Sequence, residues 1–335
     1  MSVRRPLVRI IATGGSIAGI GPDRLDYILY PELGKRITIE ESLARIPEVK
    51  EIAEVQTEDF TSVSSSALGP HEWLQMAQRI NQIFQEDGDT AGVVMTHGTA
   101  TMEETSYFLH LTVKSPKPVV ITGAMRPPTA LSSDADINLL DAVRVAACPD
   151  AAGKGVLTVF NNEIHCARDV IKASTFRVET FRPNEFGYLG YSDSDGQVVF
   201  YRAPTRKHTT ATPFDTAGLE TLPRVDIVYT YAGADALLVD AVRQNGSGGL
   251  VLVGFGGASY PPAPLAAAAQ AVKDGIPVVL ASRATAGRVV MTPQKEKMGF
   301  IVCDNLLPQK SRILLMLALT LTRHRGQIQQ MFSEY

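Results

Sequence analysis

In the first half of the chain, short apolar runs alternate with stretches whose apolar residues recur at helical spacing. The runs at residues 7–12, 92–96, 118–122 and 155–160 are rich in Val, Ile and Leu and lack a polar-apolar alternation, as strands buried on both faces do. Between them, residues 72–84, 102–111 and 135–147 carry apolar side chains three and four positions apart, which predicts helices. Strands that alternate with helices predict a parallel sheet covered on both faces.

Beyond residue 185 or so the pattern changes. Residues 187–201 alternate and turn at Ser194-Asp195-Gly196, predicting a hairpin. Residues 203–223 are rich in Thr and Pro, without periodicity, and read as a linker or covering segment. A second strand–helix series follows: strands at 225–229, 249–253 and 277–281, helices near 234–244 and 265–274, and a last long helix near 309–322. At 335 residues the chain exceeds what one core usually serves. The expected class is therefore α/β, with a larger N-terminal parallel-sheet domain over 1–200, a linker at 201–223 and a smaller C-terminal α/β domain over 224–335.

Composition narrows the function classes. Apolar residues make up 45% and charged residues 20%, as in ordinary globular enzymes. The net charge is −3 and no basic stripe stands out, so no nucleic-acid partner is expected. No apolar stretch is long enough for a bilayer, so no membrane partner is expected either. The apolar run after Arg4 and Arg5 is short and interrupted by Arg9, unlike a secretory signal. Three scattered cysteines, Cys148, Cys166 and Cys303, suggest neither a disulfide framework nor a zinc site. A cytoplasmic setting fits best.

Candidate chemistry sits at strand ends. The first strand runs into Thr13-Gly14-Gly15-Ser16. Gly14 and Gly15 let the backbone turn sharply and approach a ligand, and the Ser16 hydroxyl follows where open α/β sheets bind ligands. A tight turn alone explains the four residues as well. Residues 92–96 lead into Thr96-His97-Gly98-Thr99-Ala100-Thr101-Met102-Glu103-Glu104-Thr105. Here Thr99 or Thr101 capping a helix, with acidic residues in its first turn, is a sufficient structural explanation. His97 reads as a packing residue. Lys172 would ordinarily be solvated; buried beside two hydroxyls it would lose basicity and could accept their proton.

Taken together these segments resemble the bacterial L-asparaginases. Thr13-Gly14-Gly15-Ser16-Ile17-Ala18 is similar to the first signature of that family, and the segment from Thr96 to Thr105 to the second. The resemblance continues through Gly123-Ala124-Met125-Arg126-Pro127, residues 168–172, residues 206–214 and Pro308-Gln309-Lys310, in one order over nearly the whole chain. It implies hydrolysis of the side-chain amide of asparagine, and often glutamine, with no metal and no cofactor. It also implies two α/β domains and a homotetramer or homodimer acting on a small-molecule amide. By position, Ser16 stands where the family has its threonine nucleophile and Tyr27 where it has a mobile lid tyrosine, in a shorter lid. Thr99 and Lys172 match the second threonine and its lysine. Ser65 matches the serine that holds the substrate carboxylate, Gly15 lies beside it in the substrate pocket, and the backbone of Ala124 matches part of the oxyanion site.

The departures concern one functional group. Ala100 replaces the aspartate that holds the substrate's α-ammonium. Loss of such a charge-assisted contact is worth about ten- to a hundredfold in recognition. Ser66 replaces a glutamine of the same subsite. Gly233 replaces an asparagine offered by a neighbouring subunit, and residues 285–297 lack a match to the family's glutamate. Ser16 keeps the hydroxyl and loses only the methyl that fixes a threonine's rotamer. The expectation is that amide chemistry is kept while ammonium recognition is weakened, favouring a carboxylate-bearing amide without a free α-amine. The alternatives are an ordinary L-asparaginase that tolerates the changes, an Ala100 introduced to trap substrate, an esterase or lactonase using the same nucleophile, and a non-catalytic ligand-binding homologue.

Overall fold

The apolar runs of the first half form the middle of an eight-stranded sheet, in a computed structural model that describes residues 4–335. Its strands are β1 (Leu7–Ala12), β2 (Glu54–Asp59), β3 (Thr90–Thr96), β4 (Val119–Thr122), β5 (Val156–Phe160) and β6 (Glu163–Cys166). A separate pair, β7 (Val170–Lys172) and β8 (Phe181–Pro183), precedes β9 (Gly190–Ser192) and β10 (Val198–Phe200). The spatial order is β10-β9-β6-β5-β4-β3-β1-β2. Pairing is parallel from β2 through β5 and antiparallel from β5 through β10.

Burial explains the composition of the parallel strands. Helix Ala135–Ala147 packs on one face, against Val8, Ile10, Val94, Val120, Leu157 and Val159. Side chains alternate along a strand, so Ile11, Val93 and Ile121 turn to the other face, and they too are fully covered. Helices Pro70–Glu86 and Met102–Thr112 lie beside one another, with Trp73 stacked on Phe108 at 5.6 Å. The antiparallel extension begins at a two-residue turn, Asn161-Asn162, both residues at positive φ (52° and 63°). That is the turn type whose twist suits a tight hairpin, and asparagine tolerates it better than most residues.

One compact unit ends at Ala217 and the other spans Gly218–Tyr335. The Thr/Pro-rich stretch is tied to the first unit up to that point. Lys114 Nζ donates to the Thr212 carbonyl at 2.9 Å and to its hydroxyl at 2.8 Å, and Gln78 donates to the Thr216 carbonyl at 2.8 Å. The second unit is a parallel sheet of β11 (Val225–Tyr229), β12 (Gly249–Gly254), β13 (Val278–Ser282) and β14 (Ile301–Val302), in that order. Helices Leu237–Gln244, Pro262–Lys273 and Pro308–Leu321 accompany it, and a further helix, Arg325–Glu334, follows the one expected to be last. Among the described residues no helix is long and apolar enough to cross a membrane.

Candidate active site

Two glycines bring the two hydroxyl-bearing turns into contact. Gly15 has φ +92°, and a Cβ there would lie 2.5 Å from the Gly98 Cα. A Cβ on Gly98 would in turn lie 2.6 Å from Ser65 Oγ. Any side chain at either position would push the turns apart, so the glycines set the spacing of Ser16, Thr99 and Ser65. Ser65 is buried, in a short 3₁₀ turn, and its carbonyl accepts a hydrogen bond from the Thr101 hydroxyl at 2.8 Å.

Ser16 Oγ lies 2.5 Å from the hydroxyl of Tyr30, and either can donate. Tyr30 is delivered by a capped turn. The Asp26 carboxylate accepts from the backbone N–H of Leu29 and of Tyr30, both at 2.8 Å, and Pro31 begins the helix Tyr30–Leu33 as one of its first residues. Gly19 makes room for the ring; a Cβ there would be 2.7 Å from Tyr30 Cδ2. Burial, opposed by the Ser16 hydrogen bond, raises the Tyr30 pKa, so its phenol stays protonated near neutrality. The tyrosine expected at this place was Tyr27. Its hydroxyl instead donates to the Leu131 carbonyl at 3.2 Å, and its ring lies under Arg126. The Asp26-capped turn carries the chain onward before a tyrosine faces Ser16, which explains the offset.

Lys172 ends β7 and donates to Thr99 Oγ1 at 2.7 Å. Its strand is held by pairing with Phe181, whose ring packs against Phe160 at 4.9 Å. The Lys172 backbone N–H donates to Glu103 Oε2 at 3.0 Å. Burial lowers the Lys172 pKa and the Glu103 charge partly restores it. Glu103, in the first turn of helix Met102–Thr112, is thus the carboxylate beside the lysine.

Behind Thr99, Gly123 packs so closely that a Cβ would meet the His97 carbonyl at 2.4 Å and Thr99 Cγ2 at 3.5 Å. Asp134 holds the turn after it, accepting from Met125 N and Arg126 N at 2.9 Å each. Asn138 donates to the Gly123 carbonyl at 3.0 Å. Ala124 lies buried inside this clamp. Burial raises the Asp134 pKa, against those two backbone donors. His97 is wholly buried with its pKa lowered to about 4 by desolvation, and its Nδ1 sits 2.7 Å from the Gly98 carbonyl. It is a neutral packing group that pins the glycine turn.

A hydroxyl pair, a part-buried hydroxyl–lysine pair and a glycine contact between the two turns together form a candidate arrangement of nucleophile and base. Two family models match the chain, "Asparaginase, N-terminal" over residues 7–206 and "Glutaminase/Asparaginase C-terminal domain" over 224–332. The chain belongs to the asparaginase family. L-asparaginase 2 of Bacillus subtilis is 42% identical over 332 residues, 98% of this chain and 87% of that protein. A glutaminase-asparaginase of Pseudomonas fluorescens is 37% identical over 331 residues, 98% of this chain and 90% of that protein. A crystal structure of a probable cytoplasmic L-asparaginase from Campylobacter jejuni superposes with TM-score 0.94 at 39% identity, covering 99% of this chain and all of that one.

In this asparaginase-family chain, Gly15, Ser16, Tyr30, Ser64, Ser65, Thr99 and Ala100 line one cavity of about 200 Å³. Tyr27, Ser66, Ala124 and Lys172 are not on its lining; Lys172 lies behind Thr99, to which it donates, and Ser66 is exposed and pairs with the Ser64 hydroxyl at 2.9 Å. Gly233 lies in the second unit at φ +83°. Four contributors escaped sequence reasoning. Tyr30 and the Glu103 carboxylate were within quoted or neighbouring segments, Asp134 and Asn138 act through backbone groups, and no motif marks them. Lys35 and Arg36 also line the cavity, whose lining residues include no Asp or Glu.

Proposed function

We propose that this asparaginase-family protein hydrolyses the carboxamide of a small carboxylate-bearing amide to the acid and ammonia, with weakened recognition of an α-ammonium group. As a family member the chain is a hydrolase acting on amides; the finer claim concerns which residues act and on what. Ser16 is the attacking group. Its Oγ forms a bond to the amide carbon as its proton leaves through the Tyr30 hydroxyl and the Thr99–Lys172 pair. The carbonyl oxygen becomes an oxyanion, for which the backbone at Ala124 is the proposed donor. The C–N bond then breaks, and the nitrogen takes the proton and leaves as ammonia. Water repeats the sequence on the Ser16 ester, releasing the acid and restoring the hydroxyl.

The observation that carries the reading is the 2.7 Å contact between Lys172 Nζ and Thr99 Oγ1, with Lys172 made less basic by burial. A lysine neutral more often than a solvated one can accept a proton through Thr99. Weakened ammonium recognition rests on Ala100, a cavity residue with no carboxylate where the family has one. The deciding measurement is kcat/KM for succinamate against L-asparagine. Succinamate should be the better substrate; a higher value for asparagine would overturn the amine claim and leave an ordinary asparaginase.

We further propose a cytoplasmic homo-oligomer, a homotetramer in the first instance. The three cysteines are free, and the second unit exposes Tyr229, Tyr231, Leu237 and Leu238, a cluster suited to self-association. Light scattering of the purified chain should give a mass several times 36.2 kDa, and a monomer would refute this part.

A further inference from the structure

We propose that Arg36 binds an anionic group of the substrate and makes the cavity selective for amides of net negative charge. This deepens, and rests on, the reading of the Ser16 cavity as the substrate site.

Arg36 is not a loose surface arginine. Its backbone forms an antiparallel bridge with Gly19, flanked by Ile20 N donating to the Lys35 carbonyl at 3.0 Å and Ile37 N donating to the Ala18 carbonyl at 2.8 Å. The segment bearing Arg36 is thereby stitched to the residues that directly follow Ser16. The guanidinium reaches back toward the glycine turn, where a Cβ on Gly14 would lie 2.9 Å from Arg36 Nη1. Gly14 therefore leaves the space that the guanidinium takes.

One of its donors has nothing to pair with there. Nη1 is buried and, among the described residues, has no hydrogen-bond partner. Arg36 also lines a second cavity, of about 370 Å³, whose walls include Asp59, but no ion pair joins the two. A buried donor on a charged group without an acceptor is costly, and the penalty disappears when an acceptor arrives. The Ser16 cavity holds Lys35 as a second cation and Ser64 and Ser65 as hydroxyl donors, with no carboxylate among its lining. That donor set suits a carboxylate. An ammonium group in the same space would find Arg36 and Lys35 on the described lining and no carboxylate there to accept from it. The planar, forked guanidinium suits a carboxylate better than a lysine would.

Two roles for Arg36 make opposite forecasts. If it serves the fold, Arg36→Met destabilises the protein. If it is reserved for a ligand, removing a buried donor that has no acceptor leaves the unliganded protein at least as stable. Succinate, the acid product of succinamate hydrolysis, is the probe, titrated calorimetrically into the full-length protein. Arg36→Met should weaken succinate binding about ten- to a hundredfold, the range expected for one charge-assisted contact. Arg36→Lys should lose less, and the thermal midpoint without ligand should not fall for Arg36→Met. Succinate affinity within about twofold of wild type would overturn the proposal, as would equal losses in both variants with lowered midpoints. Binding is read without turnover, so Arg36 as an anion contact can stand when asparagine proves the better substrate, an outcome that sinks the selectivity for net-negative amides, and it can fail when succinamate proves the better one.

Discussion

The two ends of the Ser16 cavity are built differently. At the end proposed to react, each group has a hydrogen-bond partner: Ser16 has Tyr30, Thr99 has Lys172, and the Lys172 backbone has the Glu103 carboxylate. Those groups stand on strand ends, where packed glycines set their spacing. At the recognition end, Ala100 and Ser64 are exposed and Arg36 Nη1 is unpartnered. One end is internally paired, while at the other the Arg36 Nη1 donor has no partner among the described residues. Chemistry that must repeat with one reaction geometry is preorganised in the fold. Recognition can change by single substitutions that leave the fold alone.

The largest expected effect tests the reacting end. Lys172→Met should lower kcat by roughly 10²–10⁴, the usual contribution of a positioned acid–base group, with a smaller change in KM. Thr99→Ala should lose a similar amount, and the double variant little more than either, because the two act as one unit. Full additivity in steady-state kinetics would mean that Thr99 and Lys172 work separately. The recognition end is expected to respond in the other direction. Ala100→Asp should raise kcat/KM for asparagine about ten- to a hundredfold, the worth of a carboxylate–ammonium contact, while lowering it for succinamate. If asparagine turnover does not rise, the ammonium subsite has been lost more widely than at Ala100.

How far each end was legible follows from the same contrast. The buried strands β1, β3, β4 and β5 announce themselves because both faces must be apolar. β2, with the sequence Glu-Val-Gln-Thr-Glu-Asp, lies at the sheet edge with most of its residues exposed, so no apolar run marks it. β6 to β8 have three or four residues each, too few for a period to register, although Asn161-Asn162 was a usable turn signal. The final helix, Arg-Gly-Gln-Ile-Gln-Gln-Met-Phe-Ser-Glu, buries only Ile328 and Phe332 of its hydrophobic residues and reads as polar. In the candidate site, Ser16, Thr99 and Lys172 each sit in a contiguous signature, and the fold puts Ser16 and Thr99 on one cavity lining with Lys172 bonded to Thr99. Counting across a segment of altered length points to Tyr27, whereas the Asp26 carboxylate holds the turn that brings the Tyr30 hydroxyl to Ser16. Arg36 is invisible to a motif because its meaning lies in what it lacks.

The choice between the two tyrosines gives a test of intermediate size. Tyr30→Phe removes the only hydroxyl bonded to Ser16 Oγ in the described structure, with the ring and its packing kept. A hydrogen bond to a group that gains charge during reaction is worth about 1.5 kcal/mol, so kcat should fall about tenfold. Tyr27→Phe loses a 3.2 Å bond to the Leu131 carbonyl and should change kcat by less than about twofold. The reverse ranking would restore Tyr27 as the tyrosine that serves the nucleophile.

The smallest effect concerns pH, and its sign follows from the charge beside Lys172. Catalysis as proposed uses neutral Lys172, so activity rises with pH through the pKa of that lysine. Burial already lowers this pKa, and the Glu103 charge opposes the shift. Glu103→Gln removes the negative charge but keeps an oxygen able to accept from the Lys172 backbone N–H, so the strand end stays in place. The lysine should then lose its proton more easily, and the rising limb of kcat against pH should move to lower pH. Below the midpoint of that limb the variant should exceed the wild type by a few-fold at most, since Glu103 is a secondary influence after burial. A limb displaced to higher pH would overturn neutral Lys172 as the proton acceptor.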